Sequence, residues 1–381
     1  MRGYTARALV AAVAIVLAAF LTVAALPATG AQDVSSHSSE LPAGTCVLQS
    51  GESDGSYPAF PSVLRTSTNR VFATWRLSQE HQDAGGKIML SELLRPYDGC
   101  NWTVPRVIAT ESAADYNIGP AGFAEAADGS LVIGVSRYHV KNTSSADHFS
   151  AHVIRSTDGG TTWGPTLPVN AGYAGDISYP ASLAKLADGS LVMALYGNDD
   201  PAKPYDGKWY VRLARSTDDG RNWRPWGSGV PMTEGRQWSE PELLVDGSRL
   251  VMALRYDVPK GGADTSGAFL VSSDDLGRSW SVPRRITSGT SGSPALAKLH
   301  NGLYALAYRD MTQPNYPFRY ALSPNLRTWA MNNDVTGGST RRMLYAGFTA
   351  LDRNKSLAVF SLENPESNPH GWSSVHSAVI H

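Results

Sequence analysis

The chain has 381 residues, with 33 Lys and Arg against 34 Asp and Glu and a hydrophobic share of 42%. This balance excludes a disordered chain, a basic nucleic-acid-binding domain and an acidic tail. The 36 glycines, 23 prolines, 16 tyrosines and 10 tryptophans favour many short strands and turns over a helical bundle.

The N-terminus has the pattern of an export signal. Arg2 and Arg7 flank the start of an apolar stretch over residues 8–26, and small residues up to Ala31 suit cleavage by signal peptidase. We predict a signal peptide over residues 1–31, an N-terminal segment over 32–45 and a secreted, extracellular protein. An uncleaved membrane anchor is the alternative, because 19 apolar residues could just span a bilayer.

The chain has only two cysteines, Cys46 and Cys100. Outside the reducing cytoplasm we expect them to form one structural disulfide. The disulfide would attach the N-terminal segment to the first structural unit.

A repeat sets the predicted architecture. The pattern Ser-x-Asp-x-Gly-x-x-Trp occurs at residues 156–163, 216–223 and 273–280, with weaker copies at 98–102 and 323–329. We call these segments aspartate boxes. Their tryptophans lie 49 to 61 residues apart. Asp accepts hydrogen bonds from its own turn, Gly supplies the positive φ and Trp packs over the hairpin, so we assign Asp158, Asp218 and Asp275 a structural role.

A second hairpin signal runs in phase with the boxes. An Asp-Gly turn before an apolar run recurs at residues 127–134, 187–194 and 246–253, with looser versions at 300–305 and 352–358. Two hairpins per repeat of about 60 residues give four strands, the blade of a β-propeller. We therefore predict an all-β, six-bladed β-propeller of four-stranded blades over residues 46–381, with both chain ends sharing a blade.

General catalytic motifs are absent from the sequence. There is no Gly-x-Ser-x-Gly elbow, phosphate-binding glycine loop or His-Glu-x-x-His pair. His148 and His152 stand four apart in a strand-like stretch, which favours surface residues over metal ligands. A propeller without such motifs is as consistent with a binding module as with an enzyme.

The aspartate boxes resemble those of the sialidase superfamily, also called the bacterial neuraminidase repeat family. Further segments are similar to the family in the same order. The segment at residues 238–255 has Glu240 near its start and ends on Arg255. Residues 319–329 begin with Arg319, and residues 345–363 run from Tyr345 to Glu363. Residues 60–83 contain Arg76 and Asp83.

The resemblance implies a role for each of these residues. Tyr345 would be the nucleophile and Glu240 its base, because a neutral phenol is not repelled by the carboxylate on the anomeric carbon of a sialic acid. Asp83 would protonate the leaving oxygen and later activate water, with Glu80 as an alternative acid. The substrate-binding residues would be Arg255 and Arg319 on the carboxylate, Arg76 as a further contact and Glu363 orienting an arginine.

One position departs from the family pattern. Ala59 stands two residues before Pro61, where the family carries the first of three carboxylate-binding arginines. Arg65 or Arg137 could substitute for it in space. One lost charge-assisted partner costs about 1.5–3 kcal/mol, enough to change substrate preference.

We therefore expect a secreted, retaining, sialidase-like exo-glycoside hydrolase that acts on a glycan substrate without a metal or organic cofactor. It would be a monomer that binds no nucleic acid and is not inserted in a membrane after signal cleavage. One rival is an exo-arabinanase-like enzyme with Glu240 as a carboxylate nucleophile. The other is a non-catalytic carbohydrate-binding propeller that uses exposed Trp209, Trp226 and Trp238.

Overall fold

The computed structural model describes residues 44–380, except 82, 96, 141–148, 175–177, 201–208, 232–236, 258–265, 288, 314–315, 335–340, 353–354 and 365–370. The predicted signal peptide and His148 lie outside the described residues. Within them no helix is long and apolar enough to cross a membrane.

The described chain forms 24 β-strands in six four-stranded antiparallel sheets, which confirms the predicted six-bladed β-propeller. Blade 1 contains β2 (Tyr57–Arg65), β3 (Val71–Ser78), β4 (Lys87–Leu93) and β5 (Arg106–Thr110). Blade 2 contains β6 (Tyr116–Glu125), β7 (Leu131–His139), β8 (Phe149–Ser156) and β9 (Leu167–Pro168). Blade 3 contains β10 (Ser178–Lys185), β11 (Leu191–Gly197), β12 (Tyr210–Ser216) and β13 (Arg224–Trp226).

The last three blades complete the ring. Blade 4 contains β14 (Gln237–Asp246), β15 (Arg249–Asp257), β16 (Gly267–Ser273) and β17 (Arg284–Arg285). Blade 5 contains β18 (Ser291–Lys298), β19 (Tyr304–Asp310), β20 (Phe318–Ser323) and β21 (Ala330–Asp334). Blade 6 contains β22 (Arg342–Asp352), β23 (Lys355–Glu363), β24 (Ser373–Ile380) and, as its outer strand, β1 (Thr45–Ser50).

The ring closes where the two chain ends share blade 6. Strand β1 pairs antiparallel with β24 at the outer edge of that blade, as the sequence predicted. The predicted disulfide between Cys46 and Cys100 is present, with a Cα–Cα distance of 5.3 Å. Because Cys46 lies in blade 6 and Cys100 in the loop after β4 of blade 1, the bond joins the first blade to the last.

The second strand of each blade is almost continuously apolar. In β11, for example, Leu191 to Leu195 are all fully buried. Such runs form because each blade packs between two others, so both faces of the strand are covered. The cores between the blades make the ring a rigid support for its central residues.

The aspartate boxes are turns that hold the outer hairpins. In the box at residues 156–163, Asp158 accepts hydrogen bonds from the Thr162 backbone N at 2.9 Å and from Ser156 Oγ at 2.8 Å. The Trp163 indole donates to the Gly160 carbonyl at 3.1 Å. The boxes of Asp218 and Asp275 repeat the carboxylate contacts.

The tryptophans expected to be exposed for carbohydrate binding are not. Trp238 is fully buried in the core shared by blades 3 and 4, and Trp209 and Trp226 are half-buried. This expectation was wrong, because Trp238 and Trp226 pack in the core between blades 3 and 4, and Trp209 packs against the rings of Phe149 and Tyr196.

Candidate active site

Each innermost strand has a β-bulge at the same level of the ring. The register shifts lie between residues 59 and 62, 120 and 123, 180 and 182, 239 and 242, 292 and 295, and 343 and 346. At the bulges of blades 1, 4 and 5 the backbone is left-handed, with φ of 58° at Phe60, 47° at Glu240 and 49° at Ser293. A bulge redirects side chains that would otherwise alternate, so these residues can be aimed at the ring centre.

An arginine stands beside the bulge in the same three blades. The residue before the bulge pairs with Arg76 in blade 1, with Arg255 in blade 4 and with Arg309 in blade 5. The equivalent partners in blades 2, 3 and 6 are Val135, Leu195 and Leu362. Three of the six blades therefore place an arginine next to the bulge of the innermost strand.

Glu240 and Tyr345 form the centre of the site. The Tyr345 hydroxyl donates to Glu240 Oε1 at 2.7 Å, and Arg255 Nη1 donates to the same oxygen at 3.0 Å. The Ser293 backbone N donates to Glu240 Oε2 at 2.9 Å. Three donors from three blades thus fix one carboxylate.

The electrostatics of the pair keep one partner charged and the other neutral. Burial raises the pKa of Glu240, but the cations Arg255 and Arg309 and the hydrogen bonds outweigh it, so the pKa lies below its usual range. Burial raises the pKa of Tyr345 far above 10, and the Glu240 charge adds to that effect. At neutral pH the pair is therefore a neutral phenol hydrogen-bonded to a carboxylate.

Arg309 is the residue of this site that the sequence analysis missed. A Cβ on Gly292 would lie 3.3 Å from Arg309 Nη2 and 3.4 Å from Arg255 Nε, so both guanidinium groups lie against this glycine. Arg309 Nε is buried and has no hydrogen-bond partner among the described residues. In the sequence these arginines share only a place near the end of a second strand: Arg76 and Arg309 stand five residues after the first residue of β3 and β19, and Arg255 stands six after that of β15.

A cavity of about 330 Å³ opens beside Tyr345. One wall is aromatic, with ring centroids 5.3 to 6.1 Å apart among Tyr138, Phe149, Tyr179, Tyr196 and Trp209. Phe60, Arg76 and His81 line it as well. A cavity of this size with apolar rings and a few polar groups suits a small ligand such as one sugar ring.

Arg76 lies in this cavity but is engaged by the protein. It is almost fully buried, donates to the Tyr138 hydroxyl at 2.7 Å and to the carbonyls of His81 at 2.6 Å and Glu80 at 3.3 Å. Its guanidinium also lies 4.5 Å from the centre of the Phe60 ring. Arg76 therefore holds the loop that follows β3 over the cavity.

The two acids predicted for this loop have different surroundings. Asp83 Oδ2 accepts a hydrogen bond from the Gln79 backbone N at 2.7 Å, and Oδ1 lies 3.3 Å from Asn117 Nδ2. Burial raises the pKa of Tyr138, and the Asp83 charge adds to that shift. Glu80 is exposed. Neither carboxylate lines the cavity of Tyr345.

The other two predicted binding residues, Arg319 and Glu363, contact different groups. Arg319 lines a separate cavity, with its Nε 3.7 Å from Asp310. Glu363 accepts the Tyr57 hydroxyl at 2.9 Å.

Neither proposed substitute for the missing arginine occupies its place. Arg65 binds Asn69 near the far end of the blade, and Arg137 pairs with Glu111 at 2.8 Å. Ala59 itself is fully buried in a cluster with Tyr57 and Leu344, against which Phe60 and Tyr345 pack.

No group of three or more His, Cys, Asp or Glu side chains that could hold a metal ion occurs in the described part of the chain. His152, half-buried on β8, has its pKa lowered by burial.

The chain belongs to the BNR repeat-like domain family, whose model matches residues 69–345. This confirms the resemblance to bacterial neuraminidase repeat propellers that the aspartate boxes indicated. Comparison with curated protein sequences gives no significant match.

Several solved structures share the fold. A protein of unknown function from Dyadobacter fermentans is 17% identical with a TM-score of 0.71, covering 89% of this chain and 98% of its own. The NanB sialidase from Streptococcus pneumoniae is 11% identical with a TM-score of 0.66, covering 85% and 68%. An alpha-L-arabinanase of Penicillium chrysogenum is 17% identical with a TM-score of 0.59, covering 88% and 97%. The chain thus has a fold found in glycoside hydrolases of two substrate classes.

Proposed function

We propose that the protein is a secreted, retaining exo-glycoside hydrolase that removes terminal anionic sugars, sialic acid first among them, from glycans. The observation that carries the proposal is the 2.7 Å hydrogen bond from Tyr345 to a Glu240 that remains ionised between Arg255 and Arg309. A neutral nucleophile next to two cations suits an anomeric carbon that bears a carboxylate.

In the first displacement the Tyr345 oxygen attacks the anomeric carbon while its proton passes to Glu240. The bond to the leaving oxygen breaks, and that oxygen takes a proton from a general acid. The loop after Arg76 carries three titratable side chains, Glu80, His81 and Asp83, and of these His81 lines the cavity. In the second displacement water attacks the same carbon and gives a proton to the residue that acted as the general acid. Tyr345 is released and recovers its proton from Glu240. Two inversions at one carbon retain the configuration.

Arg255 and Arg309 supply the binding energy for the sugar carboxylate in this proposal. Arg309 has a buried, unpaired Nε and lies beside Arg255 against Gly292. A buried guanidinium N–H without an acceptor gains a charge-assisted hydrogen bond when an anion arrives. Arg309 rather than Arg319 would therefore be the second arginine of the carboxylate site.

Ala59 favours a second candidate, hydrolysis of a neutral sugar such as an arabinofuranoside. A small buried residue where the family carries an arginine leaves the carboxylate site one cation short. In that case Glu240 would act as a carboxylate nucleophile with Tyr345 in support.

The test is release of a fluorophore by the purified protein from a sialoside, an α-L-arabinofuranoside and a glucuronide. Turnover of the sialoside supports the proposal. Turnover of the arabinofuranoside alone would assign the second candidate. If none of the three substrates is turned over but calorimetry detects binding of a glycan, the protein is a non-catalytic propeller.

The nucleophile is tested by Tyr345→Phe, which should reduce kcat/KM on the sialoside by about 10³-fold or more because no oxygen remains to attack. Tyr304→Phe is the matched control, since Tyr304 donates a hydrogen bond to the carboxylate of Asp246 at 2.5 Å far from the cavity. Near-full activity of Tyr345→Phe would exclude the tyrosine mechanism. Under the second candidate, Glu240→Gln would be the more damaging change.

A further inference from the structure

A second polar network approaches the cavity from the side of the loop that follows β3. The His81 side chain lines the same cavity as Tyr345 and Arg76. Its ring lies 5.4 Å from that of Phe60, which in turn lies 4.7 Å from the ring of Tyr345. The loop is held in place because Arg76 Nη2 donates to the His81 carbonyl at 2.6 Å.

His81 is connected through a tyrosine to a carboxylate. The Tyr57 hydroxyl donates to Glu363 Oε1 at 2.9 Å and lies 3.0 Å from His81 Nδ1. A hydroxyl has only one proton, and here Glu363 accepts it. The Tyr57 oxygen therefore accepts from His81, which places a proton on Nδ1 and leaves Nε2 as the nitrogen that exchanges a proton.

This arrangement is that of an oriented acid/base. Tyr57 is fully buried, so its hydroxyl holds the imidazole in one orientation, and the Glu363 charge stabilises the imidazolium through it. Asp83, in contrast, has its two oxygens beside the N–H groups of Gln79 and Asn117 and does not line the cavity.

We propose that His81 is the acid/base residue of this site and that Tyr57 and Glu363 are its positioning residues. The inference rests on the proposed function. The imidazolium gives its Nε2 proton to the leaving oxygen as Tyr345 attacks. The neutral imidazole then takes a proton from the water that attacks the glycosyl–tyrosine bond, which regenerates the imidazolium.

Several charged or titratable groups face His81 and enter its pH dependence. Arg76 on β3 is the cation and Glu363 on β23 the anion of this network. Tyr57 on β2 contacts His81 itself, and the other titratable groups that line the cavity are Tyr138 and His139 on β7, Tyr179 on β10, Tyr196 on β11 and Tyr345 on β22. The tyrosines stay neutral near pH 7, because burial raises the pKa of Tyr138 to about 12 and those of Tyr57 and Tyr345 further.

The experiment compares His81→Ala and Asp83→Ala in the full chain on two sialosides, sialyl-lactose and an aryl sialoside whose phenol leaves without protonation. For His81→Ala we expect kcat/KM on sialyl-lactose to fall by about 10²–10⁴-fold and on the aryl sialoside by less than about tenfold. Azide should restore kcat on the aryl sialoside, because it needs no base to attack the intermediate. Asp83→Ala should affect both substrates alike and should not respond to azide.

Tyr57→Phe tests the positioning network without removing the imidazole. The alkaline limb of kcat/KM on sialyl-lactose should move to lower pH, since the imidazolium loses its connection to Glu363. A leaving-group dependence and azide rescue in Asp83→Ala, but not in His81→Ala, would overturn the inference while leaving the proposed function intact. A wild-type protein that turns over no sialoside would overturn the proposed function and the inference with it.

Discussion

Glu240 combines backbone strain with a buried charge. Its φ of 47° lies in the left-handed region, which costs a non-glycine residue about 1–2 kcal/mol. The strain persists because strand pairing at Ser239 and the three donors to the carboxylate fix its position. Relaxing the backbone would turn the carboxylate away from Tyr345, so the strain is tied to the geometry of the pair.

Substitution to methionine distinguishes the roles of Arg309 and Arg319 in binding the sugar carboxylate, because it keeps much of the aliphatic packing and removes the charge. Arg309→Met should reduce kcat/KM on a sialoside by about 10–10²-fold, mainly through KM, because a ground-state carboxylate contact is lost. Arg319→Met should stay near wild type, since Arg319 lines another cavity. Steady-state kinetics with melting temperatures measured alongside would decide, and the reverse order of effects would reinstate Arg319.

Sequence patterns located some of these residues better than others. Glu240, Arg255 and Tyr345 were found because each sits in a segment with neighbours of recognisable order, and the structure brings all three together. Arg309 was missed because its place depends on the strand partner of Gly292 beside a bulge. A bulge shifts register by one or two residues, which spacing along one strand does not show.

At the scale of elements, the aspartate boxes were easier to predict than the bulges. A box is local: turn, carboxylate and tryptophan lie within eight residues, so its hydrogen bonds follow from sequence alone. The inner-strand bulges carry no shared residue type, since Phe60, Glu240 and Ser293 occupy equivalent places. The bulges share only their position in the ring, which the three-dimensional structure shows and the sequence does not.

Asp158→Ala should lower the melting temperature by a few degrees and leave activity unchanged. Hydrogen bonds from Thr162 and Ser156 lower the pKa of Asp158 to about 2, below its unfolded value of about 4. The stabilisation is therefore present above pH 4 and is lost as pH falls from about 4 to 2. Thermal unfolding of wild type and variant across this window should converge at the acid end.

Asp274→Ala is the matched control for that change. Asp274 precedes the box aspartate Asp275, but its side chain is 86% exposed. Its removal should move the melting temperature little at any pH. Reduced activity of Asp158→Ala at an unchanged melting temperature would contradict the structural role of the boxes.

At the scale of the whole molecule, ring closure depends on the ends of the chain. Strand β1 is held by the pairing with β24 and by the Cys46–Cys100 bond between blades 6 and 1. Because every blade packs on two others, opening this junction exposes the cores on both sides of it. The sequence predicted this closure as a blade shared by the two chain ends, and the pairing of β1 with β24 has that form.

Replacing both cysteines by serine should reduce the free energy of unfolding by about 4 kcal/mol, the chain-entropy value for a loop of this length. The measurement is denaturant unfolding of the Cys46→Ser/Cys100→Ser variant beside wild type with and without reductant. Reduced wild type should match the variant. An unchanged midpoint would show that strand pairing alone closes the ring.

The central channel gives the molecule a second pH dependence, separate from the boxes. Glu242 follows the bulge of blade 4 and lines a channel of about 390 Å³ formed by the innermost strands. Burial raises the pKa of Glu242 to about 8, against about 4.3 in an unfolded chain. Folding therefore takes up a proton between these values, and the stability of the protein falls as pH rises through this window.

Glu242→Gln removes that dependence while keeping the shape of the side chain. The variant should match wild type near pH 4 and exceed its free energy of unfolding by about 1–2 kcal/mol at pH 8, less than the full shift implies because Glu242 is only half-buried in the channel. Denaturant unfolding at both pH values gives the comparison, and groups common to both proteins cancel in the difference. If the difference in free energy of unfolding between variant and wild type does not change with pH, Glu242 is ionised in the folded protein. Only a carboxyl group whose charge changes on unfolding makes this difference grow with pH.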